Sequence, residues 1–470
     1  MRAKFDLKPA LRQKQLLIGI LVAFSFILKI GFSFFLDFEG DQANVYAQGL
    51  DFYLLGKLST HGPGVVYTGT ALPGALQCLL VGIPLFISGG MPWGAAVFIA
   101  FLNACAGYLI FRIYRDLFQE LDPVFLAAFI LFAPWTILFN GLWNPSFLPF
   151  FCSLFLVGML KVFRSPASFW GAFWIGLATL FAMQIHLSFV VLPLALGLMI
   201  LLRWIQWPNW KGLLLGAFVG GITLAPTLYD KQNSSKSDFL LANIQFHWDH
   251  LAQWPAYFLR FLTFPTGETT RFIGKFAGLS GTLRYLGEHP IWIPFAVIAL
   301  LASIGLVLMG ILFYFDRNNW KLLWKKRSKN PREFLSVMTL TVPLVVGVLF
   351  GFSVTGPSAH TFWILLPLSF LPCLYTLSKK GWFPFAETET ETETETETET
   401  ETETVIWYSY CAIALIFSLA TFLAVGRQSL YQTEAYARDL ARNKIRWDDI
   451  PTSYRPHVQK ISALLSVHSE

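Results

Sequence analysis

The stretch from Gln15 to Leu36 is apolar enough and long enough to cross a bilayer, and segments of the same kind follow almost to the end of the chain. Crossing about 30 Å of hydrocarbon takes roughly 20 apolar residues. Further apolar runs lie at residues 71–90, 92–111, 123–140, 145–160, 169–186, 187–203, 212–229, 290–315, 334–352, 361–377 and 405–425. They leave no room for an independent globular domain. Charged residues are 14% of the chain and hydrophobic ones 55%, where a soluble domain carries about 25% charged residues. The fold class is therefore an all-α polytopic membrane protein.

The first run follows Arg2, Lys4, Lys8, Arg12 and Lys14, which hold the amino terminus in the cytoplasm. It is longer than a signal-peptide core and has no small-residue cleavage site before Asp37, so it reads as a retained anchor. If residues 71–90 also crossed, the loops holding Arg112 and Arg115, Lys161 and Arg164, and the seven bases between Asp316 and Glu333 would all face outward. That would reverse the positive-inside bias. Residues 71–90 are therefore expected to lie along the outer interface or to dip in and return, which leaves about 11 transmembrane helices. A core over residues 1–377 then carries a first external loop at 37–91 and a long external loop at 230–289. After it come a Glu-Thr linker at 378–404, a last span at 405–425 and a basic tail at 426–470. The tail is expected outside although it is rich in Arg and Lys.

The net charge of +6 hides a larger excess. Nine acids sit in the alternating repeat from Glu387 to Thr404, and without them 35 bases face 20 acids, or +15. In a membrane protein such an excess reflects cytoplasmic loops, and no nucleic-acid partner is expected. The repeat lacks apolar residues and cannot build a packed core. Cys78, Cys105, Cys152, Cys373 and Cys411 lie inside apolar runs without short spacing, as small buried hydrophobes do. No phosphate-binding loop, nucleophile elbow, kinase signature or His-Glu-x-x-His sequence is present.

The polar chemistry gathers in the outward segments. Asp37, Glu39 and Asp41 cluster where the first span leaves the membrane. Beyond them Tyr46, Leu50, Tyr53 and Leu54 recur opposite Asn44, Gln48 and Asp51, the pattern of an amphipathic helix on the bilayer surface. Asp41 opens that helix, and spacing alone favours an ordinary N-cap. The functional alternative is an interfacial carboxylate that meets a reactant half in lipid and half in water. Transfer of a sugar from a lipid phosphate needs a base for the acceptor proton and positive charge or a metal for the departing phosphate. Arg260, Arg271, Lys275 and Arg284 of the long loop are candidate phosphate contacts, Arg271 among them as a substrate-binding residue.

His61 lies in a Gly-Pro turn and is either an exposed turn residue or an acceptor or phosphate contact. His186 stands between two apolar spans, as a neutral ring bonded to Gln184 or Ser188 or as a ligand contact. Asn144 precedes Pro145, and a structural cap leads substrate binding as its account. His247, Asp249 and His250 imitate metal spacing, but they form the polar side of an aromatic run whose leading account is a surface helix.

Gly40-Asp41-Gln42-Ala43 after the first span, His61-Gly62-Pro63-Gly64, Trp143-Asn144-Pro145-Ser146-Phe147-Leu148-Pro149 and Gln184-Ile185-His186-Leu187-Ser188 together resemble the polyprenyl-phosphate-sugar transferases of the GT-C superfamily. The likeness is to the branch of protein O-mannosyltransferases and the lipid A aminoarabinose transferase, and it covers about the first 230 residues. It implies a catalytic acid in the first external loop, which falls on Asp41, with Glu39 in support. In the family this acid is commonly the first of an Asp-Glu pair, and here Gln42 takes the second place.

The resemblance further implies a polyprenyl-phosphate sugar donor, an envelope glycan, lipid or protein acceptor, inversion at the anomeric carbon, and an active site on the outer side of the plasma membrane. Magnesium or manganese at Asp41 is the one cofactor considered. Rival readings are a flippase for lipid-linked glycans, which would place charges near the bilayer midplane and show internal repeats, and a glycan polymerase or ligase.

Overall fold

In the computed structural model the apolar runs become helices whose ends are set by caps, prolines and glycines. It describes residues 7–34, 38, 40–65, 70–133, 140–230, 245–266, 279–324, 330–353, 359–380, 430–452 and 454–467. Glu39, Arg271, Lys275, most of the Glu-Thr linker and the expected span at 405–425 lie outside these residues.

Helix α1 (Leu7–Ser33) is followed by α2 (Gly40–Leu55), a hairpin of β1 (His61–Val65) and β2 (Thr70–Pro73), and α3 (Leu76–Ser88). The hairpin is antiparallel with an irregularity between His61 and Gly64. The long α4 (Trp93–Leu117) comes next, then α5 (Pro123–Leu131), which opens on Asp122. The Asp122 carboxylate accepts from the amides of Val124 and Phe125 at 2.8 and 3.0 Å, and Pro123 occupies the position where a missing N–H costs nothing. Helices α6 (Leu148–Arg164), α7 (Phe169–Ile185), α8 (Val191–Leu201), α9 (Trp210–Gly221) and the short α10 (Ala225–Tyr229) complete the first half.

The second half holds α11 (Trp248–Ala252), α12 (Trp254–Thr263), α13 (Leu279–Glu288), α14 (Ile293–Phe315), α15 (Arg317–Lys321), α16 (Pro331–Phe350) and α17 (Leu366–Lys380). The tail adds α18 (Leu430–Ala441) and α19 (Arg455–Val467).

The basic loops meet on one face with the amino-terminal end of α1. Lys14 Nζ is 3.0 Å from Asp122, ahead of α5, and Arg332 at the start of α16 is 2.7 Å from Glu120, just past α4. Arg332 also donates to Ser378 at the end of α17 at 2.8 Å, and Lys379 pairs with Asp316 beyond α14. Phe163, near the end of α6, stacks on Phe334 at 4.5 Å. Since α1 leaves this face and α4 returns to it, α2 and α3 between them make no net crossing. The length of α3, 13 residues or about 20 Å, is short of the hydrocarbon core.

Six described helices are individually long and apolar enough to span, or seven if the pair bent by 47° around Asp316 counts as one. The expected eleven is not reached among the described residues. Helix α5 has nine residues and residues 134–139 beyond it are not described, while α7 and α8 are shorter apolar helices.

Helices α7 and α9 pack through a stripe of small residues, Gly212, Gly216 and Gly220, spaced every fourth residue. A Cβ on Gly216 would stand 2.8 Å from the Phe173 carbonyl carbon and 3.0 Å from the Leu177 amide nitrogen. Both obstacles are backbone, so neither yields by a rotamer change. In lipid, where apolar burial gives no preference for a protein neighbour, such close backbone approach is what holds two helices together. Gly216→Val is expected to separate α7 from α9 and destabilise the protein by about 1–3 kcal/mol, read as a lower unfolding midpoint in detergent; an unchanged midpoint would contradict this packing.

Candidate functional site

The face opposite the basic loops collects the turns and short elements that carry the unusual polar residues. Gln184, buried at the end of α7, donates from Nε2 to the Gly220 carbonyl at 2.9 Å and accepts from Thr223 Oγ1 at 2.8 Å. The hairpin lies against it because two positions lack a side chain. A Cβ on Gly62 would sit 2.8 Å from the Gln184 carbonyl, and Gly74 at φ +105° would drive one into the Gln184 amide. The Gly74 amide donates to Thr227 Oγ1 at 2.8 Å, Ala75 N donates to the Thr223 carbonyl at 2.8 Å, and Thr227 donates to the Thr60 carbonyl. The first loop is thereby sewn to the ends of α7 and α9. His61 is half-buried in β1 rather than in an open turn, its Nδ1 2.9 Å from Thr60 Oγ1.

His186 stands in the turn between α7 and the 3-10 segment Leu187–Val190. Of its two expected partners it takes Ser188, whose amide donates to Nδ1 at 3.1 Å and whose hydroxyl is 2.8 Å away; Gln184 turns toward Gly220 instead. Burial pushes its pKa down to about 4. The ring is neutral at ordinary pH, Nδ1 is the acceptor, and Nε2 carries the proton. Asn144 opens the 3-10 segment Asn144–Phe147 and donates from Nδ2 to the Ile185 carbonyl at 3.1 Å, which links the two turns. The cap position itself is Trp143.

His360 joins this group without having been singled out in the sequence. Its ring meets His186 at 5.3 Å and Trp143 at 4.7 Å, both edge to face, and Trp143 meets Trp363 at 5.7 Å. The structure thus brings His186, Asn144 and His360 together, and it ties His61 through Thr60 to Thr227, which also accepts from Gly74 beside Gln184. The fold separates His360 from His186 by more than 170 positions, so no local motif marks the pair.

Asp41 lies elsewhere on the same face. Helix α2 begins at Gly40, so Asp41 belongs to its first turn and is not the N-cap that spacing suggested. A carboxylate there still faces free amides and the positive end of the helix dipole. Asp41, Asn44 and Asp51 are exposed along one side of α2, while Ala43, Tyr46, Gly49 and Leu50 are buried toward α3. Leu54, expected on the buried side, is exposed at the end of the helix, as is Leu55. Glu39 and Arg271 cannot be placed, lying outside the described residues; Arg260 rests over the Tyr257 ring at 5.3 Å.

An apolar hollow of about 610 Å³ opens between α1, α3 and α4. Phe26, Leu80, Ile83, Val97 and Phe101 line it, Trp93 stands at the start of α4, and among the described lining residues Thr223 carries a hydroxyl. Through Thr223 the hollow borders the Gln184 network that carries the hairpin. The first span also holds a buried lysine. Lys29 is fully buried in α1 and donates to Ser25 Oγ and to the Leu131 carbonyl, the latter at 3.1 Å. Its signal was a basic residue inside an apolar run.

The carboxyl tail covers this face. His457 of α19 packs edge-on against Phe38 at 5.8 Å, and Phe38 against Tyr46 at 5.8 Å. Glu434 of α18 accepts from the Trp93 amide at 2.9 Å at the start of α4. Tyr46 donates to the Gly90 carbonyl at 2.8 Å, with burial first and the Glu434 carboxylate second raising its pKa.

No family model and no curated protein matches the chain. Two solved structures do share its fold. ArnT from Cupriavidus metallidurans in the apo state has a TM-score of 0.54 and 13% identity, with 94% of this chain and 84% of that chain covered. ArnT from the same organism bound to undecaprenyl phosphate gives 0.53 and 14% over the same shares. The chain thus shares the overall fold of these ArnT structures.

Glu434 is 4% exposed, and burial raises its pKa to about 7. In the unfolded chain it ionises near 4.5. Its contribution is complete below pH 4.5 and is lost as the pH rises through 7, on the order of 3 kcal/mol in all. Proteolysis within α18 and α19 is expected to speed up between pH 5 and pH 8 in the wild type and to be pH-independent in Glu434→Gln; equal acceleration in both would contradict this assignment.

Proposed function

We propose that this multi-pass membrane protein is a glycosyltransferase that takes a sugar from a polyprenyl-phosphate carrier and gives it to a cell-envelope acceptor on the extracytoplasmic side of the plasma membrane. The observation that carries the reading is the apolar hollow of about 610 Å³ bordered by the Thr223–Gln184 network on the face away from the basic loops. A prenyl tail fits the first environment and a phosphosugar head group the second. The fold it shares with an ArnT that binds undecaprenyl phosphate supports the same donor class. Sidedness follows from the basic face, which the positive-inside rule puts in the cytoplasm.

In this reading the Asp41 carboxylate takes the proton of the acceptor hydroxyl as its oxygen bonds to the anomeric carbon. The bond from that carbon to the phosphate oxygen breaks on the opposite side, and the phosphate leaves with its electron pair. A single displacement of this kind inverts the anomeric centre. His186, with its proton on Nε2, and Asn144 hold donor or acceptor hydroxyls, and His61 the phosphate side. Glu39 and Arg271 remain candidates for supporting the carboxylate and binding the phosphate. A magnesium or manganese ion would be held by Asp41, and it would neutralise charge on the departing phosphate.

The test uses purified protein in bilayers, supplied with the polyprenyl-phosphate sugars extracted from its own membranes. Asp41→Asn is expected to lower turnover by about 10²-fold or more, the share a general base contributes; normal turnover would remove Asp41 from the chemistry. Leu80→Trp, which narrows the hollow, is expected to raise KM for a long-prenyl donor more than for a short-chain one. Equal KM changes for both donors would separate the hollow from prenyl binding.

A further inference from the structure

His247, Asp249 and His250 stand closer together than the polar side of a surface helix requires. Their ligand atoms all lie within 4.8 Å of one another. His250 Nε2 is 3.6 Å and His247 Nδ1 4.0 Å from the Asp249 carboxylate, and the two imidazole rings are 4.6 Å apart. Zinc holds nitrogen and oxygen ligands at about 2.0–2.2 Å, which puts them about 3.3 Å from each other in a tetrahedron, so small side-chain rotations close these gaps.

We propose that His247, Asp249 and His250 bind a divalent transition metal of the zinc class. The second observation is the support around the ligands. His250 Nδ1 is 2.8 Å from the Ser353 carbonyl, an acceptor only, so Nδ1 carries the proton and the Nε2 lone pair is turned to Asp249. This is the outer-shell bond that metal-bound histidines ordinarily have. His250 is buried, and His247 turns Nδ1 toward the same Asp249 carboxylate. Asp249, with 70% of its side chain exposed, leaves the fourth position open to water. Magnesium, which prefers oxygen ligands, fits this donor set poorly.

The ion would act as a clamp. His247 N donates to the Gly351 carbonyl at 2.7 Å and Gln245 N to the Phe352 carbonyl at 3.1 Å, so the ligands are seated on the end of α16. Farther along, Tyr257 of α12 stacks on Phe362 at 5.1 Å, within the segment Ala359–Leu365 that carries His360. A metal at α11 therefore stiffens the long loop beside the His186–His360 contact without touching it.

The test is metal content and binding, which do not depend on any activity. Wild-type protein in nanodiscs, stripped with chelator and titrated with zinc alone, is expected to retain about one zinc per chain and to gain an unfolding midpoint of several degrees. His250→Ala and His247→Ala are each expected to weaken zinc binding by at least about tenfold, and the double variant to abolish retention, while His289→Ala retains it. The zinc-free midpoint of the double variant should match that of zinc-free wild type, which shows that the fold survives. Substoichiometric retention in wild type, or equal retention in the double variant, would overturn the proposal.

Discussion

The ion pairs on the basic face hold the ends of α1, α4, α5, α14, α16 and α17 on one side. Lys14 with Asp122 joins the beginnings of α1 and α5, Arg332 with Glu120 the beginning of α16 to the end of α4, and Lys379 with Asp316 the ends of α17 and α14. Surface ion pairs contribute little stability individually, about 0–1 kcal/mol. Their value here is geometric, because a helix pair whose loops are held on one face cannot change its number of passes. Once α1 rises and α4 descends, α2, the hairpin and α3 are confined to the other face, and the polar residues they carry are delivered there together.

The architecture of that face rests on close approach. The glycine stripe of α9 brings Thr223 against Gln184, and Gly62 and Gly74 let the hairpin lie on the same residue. Gln184 is therefore the hub from which the hairpin, the His186 turn and the rim of the hollow are positioned. Buried as it is, losing Thr223 would leave its amide oxygen unpaired at a cost of about 1–3 kcal/mol.

Charge and hydropathy made the broad plan legible. The location of basic residues alone indicated that residues 71–90 add no crossing, and α3 is too short to add one. The polar side of α2 followed from its spacing, because a surface helix is a local object. What spacing could not supply is register at the level of one residue: it favours Asp41 as the N-cap, whereas the helix begins at Gly40. Nor could it supply contacts across the chain. His360 and Trp143 reach His186 only through the packing of helix ends, and the bond from His250 to Ser353 spans 103 positions. The histidine spacing at 247–250 was visible, but the carbonyl that orients one ring toward Asp249 was not.

The buried polar groups also bear on the choice between a transferase and a flippase. A flippase must offer a sugar head group a polar route through the bilayer, since an unpaired hydroxyl in hydrocarbon costs several kcal/mol. Lys29 is occupied by Ser25 and the Leu131 carbonyl, and Asn103 Nδ2 donates to Asn140 at 2.9 Å. These donors are engaged within the packed core. The hollow, by contrast, is lined by aliphatic and aromatic side chains with Thr223 at its border. Such a space suits a hydrocarbon tail and rejects a sugar, which fits the proposed transferase, in which the head group would stay at the far face beside Gln184 and His186.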